Sequence, residues 1–161
     1  MEKKYYMLGV LRIVLGFIFI WAFFDKLFGL GFSTIPQSSW INGGSPTLGY
    51  LSHTVTGLFT SFYHLIAGNV FVDWFFMIGL LFIGLALIFG IGVRIASISG
   101  VILMLLMWAS HLPPDNHPFL DEHIIYALVF VVLTLFNSGR YLGLGNLWKD
   151  TEIVKQWRIL E

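Results

Sequence analysis

The sequence predicts an all-α integral membrane four-helix bundle, and three observations carry that prediction. Hydrophobic residues make up 57% of the 161-residue chain and charged residues only 11%, against about 25% charge in an ordinary soluble domain. Mean hydropathy is +0.82, which leaves more apolar surface than one soluble domain of this size can bury. Four stretches, over about residues 7–24, 74–91, 95–112 and 118–137, are continuously apolar. Each approaches the ~20 residues a helix needs to cross a bilayer core. Unbroken rather than alternating hydrophobicity favours helices over strands.

The first span, MLGVLRIVLGFIFIWAFF, has a basic start and is followed by DKLFGLGF instead of a small-residue cleavage site. It therefore reads as a retained helix and not as a signal peptide. Spans two and three are separated by GIGVR, a tight glycine turn, and Gly139 stands where a C-cap of span four is expected. Ala96 and Gly100 form a small-xxx-small pair that lets span three approach a neighbour closely. Neither GIGVR nor GLGNLW has the strand-turn-helix setting of a dinucleotide site, so both read as turns. One membrane domain over 1–161 is expected, with residues 139–161 as its cytoplasmic tail.

Lysine and arginine set the expected orientation. With four crossings, Lys3, Lys4, Arg12, Arg94, Arg140, Lys149, Lys155 and Arg158 fall on one side and only Lys26 on the other. Both termini are then cytoplasmic in a multi-pass cell-membrane protein. His53, His64, His111, His117 and His123 all lie on the outer side, with Asp25, Asp73, Asp115, Asp121 and Glu122. Chemistry should face outward. Net charge is zero and no basic tract stands out, which argues against nucleic acid as a partner. The chain has no cysteine, so it holds no disulfide, thiolate metal site, c-type haem attachment or thiol relay.

Residues 25–73 form a long outer connection. Its first half, GLGFSTIPQSSWINGGSPTLGY, should be irregular. Its second half has helical periodicity: Leu51, Val55, Leu58, Phe62 and Ile66 share one face, and His53, Thr56, Thr60 and His64 another. An amphipathic helix packed over the bundle mouth is expected, with Trp40 and Asn42 closing a lid.

HLPPDNHPFLDEHIIY, residues 111–126, gathers three histidines, two aspartates and a glutamate. Much of it reads as the start of a helix. Pro118 suits a first turn, Asn116 or His117 suits a cap, and Asp121 and Glu122 meet the positive helix end. That reading leaves His111, His117 and His123, beside Trp108 and Tyr126, without a role. His123 and Tyr126 are helical neighbours, and a tight return brings His111 near His123. A mixed site of His111, Glu122 and His123, with Asp73 or His64 as fourth ligand, lacks short-spaced pairs such as HxxxH. No metal or haem is expected. Asp25 and Lys26 end span one, about 100° apart on a helix. They meet solvent and snorkel, or one of them binds an anion or quinone headgroup. Arg12, inside span one, either snorkels or forms an internal ion pair. Asp73 and Trp74 read as an acidic helix start and an interfacial tryptophan.

In order along the chain, LGFIFIWAFFDKLFG, WINGGSPT, DWFFMIGLLFIGLALIFGIGVRIA and LPPDNHPFLDEHIIYALV with GRYLGLGNLW resemble the DoxX/DoxD group of small four-helix membrane proteins. The resemblance spans nearly the whole chain. It implies the membrane subunit of a thiosulfate:quinone oxidoreductase-type complex, which turns thiosulfate into tetrathionate and passes electrons to quinone, with a DoxA-like partner. On that reading His123, His111 and Glu122 are candidate catalytic groups. Lys26, Asp25, Trp40, His64, Asp73, Trp74, Trp108 and Tyr126 are candidates for binding substrate or quinone. Imidazole titrates in a range that brackets neutrality, which suits proton exchange with quinone. The competing reading is a non-catalytic accessory or scaffold subunit of a larger respiratory, terminal oxidase-type complex. A small transporter is disfavoured by the lack of charge midway through the spans.

Overall fold

A computed structural model describes residues 3–114 and 117–160, and among them every regular element is helical. Four apolar helices carry the architecture: α1 (Lys3–Phe28), then, after a short α2 (Thr60–Ile66), α3 (Val70–Phe89), α4 (Val93–Ser110) and α5 (Glu122–Leu135). Two short helices follow, α6 (Gly145–Lys149) and α7 (Glu152–Gln156). At 1.5 Å per residue α1, α3 and α4 are about 39, 30 and 27 Å long, enough for a hydrocarbon core of about 30 Å. These three are long and apolar enough to cross a membrane; α5, with 14 residues, is shorter.

Helix α1 packs on α3, α3 on α4 and α4 on α5, and all four contribute to one core. Phe19, Met77, Leu87, Met104, Phe130 and Leu133 lie in it. Close approaches are made by small residues. A Cβ on Gly100 would fall 2.3 Å from the Phe130 ring, so the α4–α5 contact requires a residue without a side chain there. Buried Ala96, one turn earlier, completes the expected small-xxx-small face.

Several boundaries differ from expectation for physical reasons. Helix α3 begins at Val70 because the Asn69 side chain accepts from the Phe71 amide, which places Asp73 inside the first turn. Helix α5 begins at Glu122 rather than near residue 118, because Asp121 is its cap and accepts from the His123 and Ile124 amides. Pro118 therefore precedes the helix. His117 Nδ1 accepts from the Phe119 and Leu120 amides, a local turn and not the helix cap. Asn116, the other cap candidate, lies outside the described residues. After α5 the left-handed residue is Asn137 (φ 48°), not Gly139. Gly139 instead sits where a Cβ would meet the Gly90 carbonyl at 2.6 Å.

The connection between α1 and α3 also departs from the continuous amphipathic helix. One π-helical turn (Tyr50–Thr54) and α2 are separated by an extended break. The Thr56 and Leu58 amides donate to the Ser110 and Leu112 carbonyls, so the segment pairs with the end of α4 and leaves the helical path. Gly57, at φ +88°, makes this possible; a Cβ there would lie 2.0 Å from the Leu112 carbonyl oxygen. The buried face changes accordingly. Leu51, Val55 and Tyr63 are buried, whereas Leu58 is 76% exposed. The glycine-rich half holds two short 3₁₀ turns, Pro36–Ser38 and Trp40–Asn42.

Arg12 is fully buried and does not snorkel, and among the described residues it pairs with no acid. Its Nη1 donates to the Leu87 and Ile88 carbonyls in the last turn of α3, and its Nη2 to the Tyr141 and Leu142 carbonyls at 3.0 Å each. Carbonyls at a helix C-terminus lack intrahelical donors and carry partial negative charge, so a guanidinium fork suits them. Arg12→Met should therefore lower unfolding stability by about 3 kcal/mol or more, with Arg12→Lys intermediate. Thermal unfolding in detergent micelles checks this, and an unchanged Tm for Arg12→Met would refute the clamp. Gly57→Ala should expose the loop to limited proteolysis while leaving the far-ultraviolet helix signal intact.

Candidate functional site

The C-terminal ends of α1 and α4, the N-terminal end of α3 and the loop enclose a cavity of about 180 Å³. Its walls are mostly apolar, formed by Leu51, Val72, Phe76, Leu103 and Met107 among others, with Lys26, Tyr50, Tyr63 and Ser110 supplying polar atoms. Apolar walls with a few convergent polar groups are the usual makeup of a small-molecule site. Lys26 enters from the last turn of α1, with Nζ 5.9 Å from the centre of the Phe76 ring and 3.1 Å from Ser33 Oγ. A groove of about 550 Å³ on the exposed apolar face between α3 and α4 abuts the cavity. The two share Val72, Phe76, Leu103 and Leu106 as walls.

A polar chain leads from this cavity toward the surface. The Tyr50 hydroxyl lies 2.8 Å from Ser110 Oγ and 3.2 Å from His111 Nδ1, and Ser110 Oγ lies 3.0 Å from that same nitrogen. Ser110 also donates to the Met107 carbonyl, which leaves Tyr50 and His111 to supply the other protons of the triangle. The hydroxyl of Tyr50 can then turn between Ser110 and His111 without losing a partner. Beyond it the His111 and His123 rings are nearly parallel, with centroids 6.5 Å apart. His123 Nδ1 donates to Asp121 Oδ2 at 2.8 Å.

The sequence-predicted residues divide by position. His111 and His123 come together as expected, and Lys26 reaches the cavity. Glu122 is exposed beside His123, and Tyr126 packs against the core one turn further on. Trp108 Nε1 donates to the Phe119 carbonyl at 2.8 Å, tying α4 to the approach to α5. Trp40 meets Trp74 edge to face at 4.7 Å. His64 is exposed in the last turn of α2. The two aspartates hold the loop. Asp25 accepts from the Phe32 and Ser33 amides and the Ser33 hydroxyl, and Asp73 accepts from Ser45 Oγ, the Thr47 amide and Thr47 Oγ1.

Asp121, Glu122 and His123 place ligand-type atoms within 4.8 Å of one another. Both Asp121 oxygens, however, already serve the α5 cap and the His123 ring. Tyr50, Tyr63 and Ser110 are the polar residues that sequence reasoning passed over. The usable signal was the tyrosine pair flanking YLSHTVTGLFTSFY, which no single helical face accommodates.

Comparison with family models, with curated proteins and with solved structures gave no match.

Burial pushes the Tyr50 and Tyr63 phenols above their ordinary value, further interactions of Tyr50 being smaller. A phenol whose folded-state pKa is raised adds stability that is complete below the unfolded value of about 10 and is lost as pH rises through the folded one. Alkaline unfolding should thus sharpen above that value, and Tyr50→Phe should flatten the pH dependence. Identical alkaline profiles for wild type and Tyr50→Phe would count against burial of this hydroxyl.

Proposed function

We propose that the chain is a DoxD-like membrane subunit of a thiosulfate:quinone oxidoreductase-type complex, and that its outer cavity receives the quinone headgroup. The observation that carries this reading is the joining of two unlike spaces. A small cavity with Lys26, Tyr50 and Ser110 abuts an apolar groove facing the lipid side of α3 and α4. A ligand with a polar ring and a long apolar tail fits both at once. The three helices able to cross a membrane support a bilayer location. With α5 taken as a fourth crossing, the distribution of lysine and arginine supports cytoplasmic termini.

In the proposed reaction two thiosulfate dianions join through a new S–S bond to give tetrathionate and release two electrons. Quinone takes up those two electrons and two protons to become quinol. Thiosulfate oxidation is assigned to the complex with its DoxA-like partner, because this chain has no cysteine with which to hold a sulfur intermediate. The chain's own contribution is to bind the ring and supply protons. Lys26 places positive charge beside a ring that gains electron density. Tyr50, in contact with both Ser110 and His111, passes protons inward from the His111–His123 pair.

Purified protein, alone and with the partner subunit, should support thiosulfate-dependent reduction of a soluble quinone. Tyr50→Phe and His123→Ala should each slow turnover at least about tenfold, the scale of a lost proton-transfer group, while quinone affinity stays within about twofold. Lys26→Gln should instead weaken quinone binding. If wild-type protein neither binds quinone nor reduces it with the partner present, the accessory-subunit reading replaces this one.

A further inference from the structure

The opposite end of the helices carries a second, differently built site. The N-terminal part of α1, the C-terminus of α3, the start of α4 and the segment after α5 meet there. Arg12 contacts α3 and Tyr141, Tyr5 stacks on Tyr141 at 4.9 Å, and Arg94 Nη1 reaches the Arg158 carbonyl at 3.4 Å. Between α4, α5 and α6 lies a cavity of about 200 Å³ lined by Arg94, Thr134, Asn137, Arg140 and Trp148. Arg140 also lines a neighbouring hollow of about 340 Å³ with Lys149, Lys155 and Arg158. Among the described residues five cations thus border two adjoining spaces, with Asp150 lining the second and Glu152 pairing with Lys155.

A further observation points to a ligand. Around the cations the short helices expose large apolar side chains: Leu147, Ile153, Trp157 and Ile159 are each more than half exposed. Such side chains do not suit an aqueous surface. Beside arginine and lysine, at the end of helices able to span a bilayer, they make an interfacial element with its apolar residues in the acyl boundary and its cations at headgroup level. Basic pockets between helices at this depth are suited to anionic headgroups.

We propose that this end binds an anionic phospholipid, with its phosphate in the cavity between Arg94 and Arg140 and its acyl chains along the apolar collar of α6, α7 and the C-terminal turn. The assignment does not depend on the quinone reading and uses none of its residues.

The test is native mass spectrometry and thermal unfolding of full-length, delipidated protein in a neutral detergent. Phosphatidylglycerol, phosphatidylcholine and inorganic phosphate are added separately. Phosphatidylglycerol should stay bound and raise Tm, while phosphatidylcholine and phosphate should do neither. The double variant Arg94→Gln/Arg140→Gln should weaken phosphatidylglycerol binding about tenfold or more, as expected from losing two cations near the headgroup. Because Arg140 is partly buried, Arg94→Gln combined with Lys149→Gln and Lys155→Gln provides a second reading, with a drop of similar size expected. Equal retention of phosphatidylcholine would overturn the proposal, and so would stabilisation by phosphate matching that by phosphatidylglycerol. Undiminished phosphatidylglycerol binding in the folded variants would do the same.

Discussion

A single guanidinium holds the cationic end of the molecule together. Arg12 lies in the third turn of a long apolar helix, and its partners among the described residues are backbone carbonyls of two other segments. In a medium without water an unpartnered peptide group costs several kcal/mol, so the end of α3 and the return after α5 need donors. Arg12 supplies them. It converts three chain segments that meet only because of helix packing into one joint. The Leu144 amide, donating to the Phe89 carbonyl at 2.8 Å, extends the same joint toward α6. The geometry of both cationic cavities depends on where that joint places Arg94 and Arg140.

The opposite end is organised by anions instead. Asp25, near the C-terminal end of α1, and Asp73, in the first turn of α3, collect amides and hydroxyls from the glycine-rich loop. Asp121 does the same for the first turn of α5. Asp25 and Asp73 thereby fix the loop beside the cavity that Lys26 and Tyr50 both line. The chain therefore uses its few charges as fasteners for backbone that has left helical geometry, and the polar triangle of Tyr50, Ser110 and His111 sits within the frame they create.

What could be read in advance follows from which interactions are local. Long apolar runs specify α1, α3 and α4 without reference to anything distant, and small residues such as Gly100 mark where helices touch. The meeting of His111 and His123 was legible because both flank one short return. Arg12 was harder to place. Snorkelling and pairing are the local options for a membrane arginine, whereas its actual partners lie 75 to 130 residues away. The loop misled for the same reason. Its helical periodicity is real, but pairing of Thr56 and Leu58 with the end of α4 outweighs it, and that redirects Tyr50 and Tyr63 inward. Aspartates at helix ends look like candidate ligands until the loop donors that occupy them are known.

The groove between α3 and α4 is walled partly by Phe75, Ile78, Phe82 and Ile102, all of them on the outer surface of the helix pair. A molecule that reaches the adjoining cavity along such a wall approaches sideways, in two dimensions, and never as a dissolved solute. Its governing concentration is then a mole fraction of the surrounding lipid. Occupancy should fall when the same amount of ligand is spread over more bilayer, even at constant bulk molarity, so an affinity stated per litre would describe the vesicle preparation more than the protein.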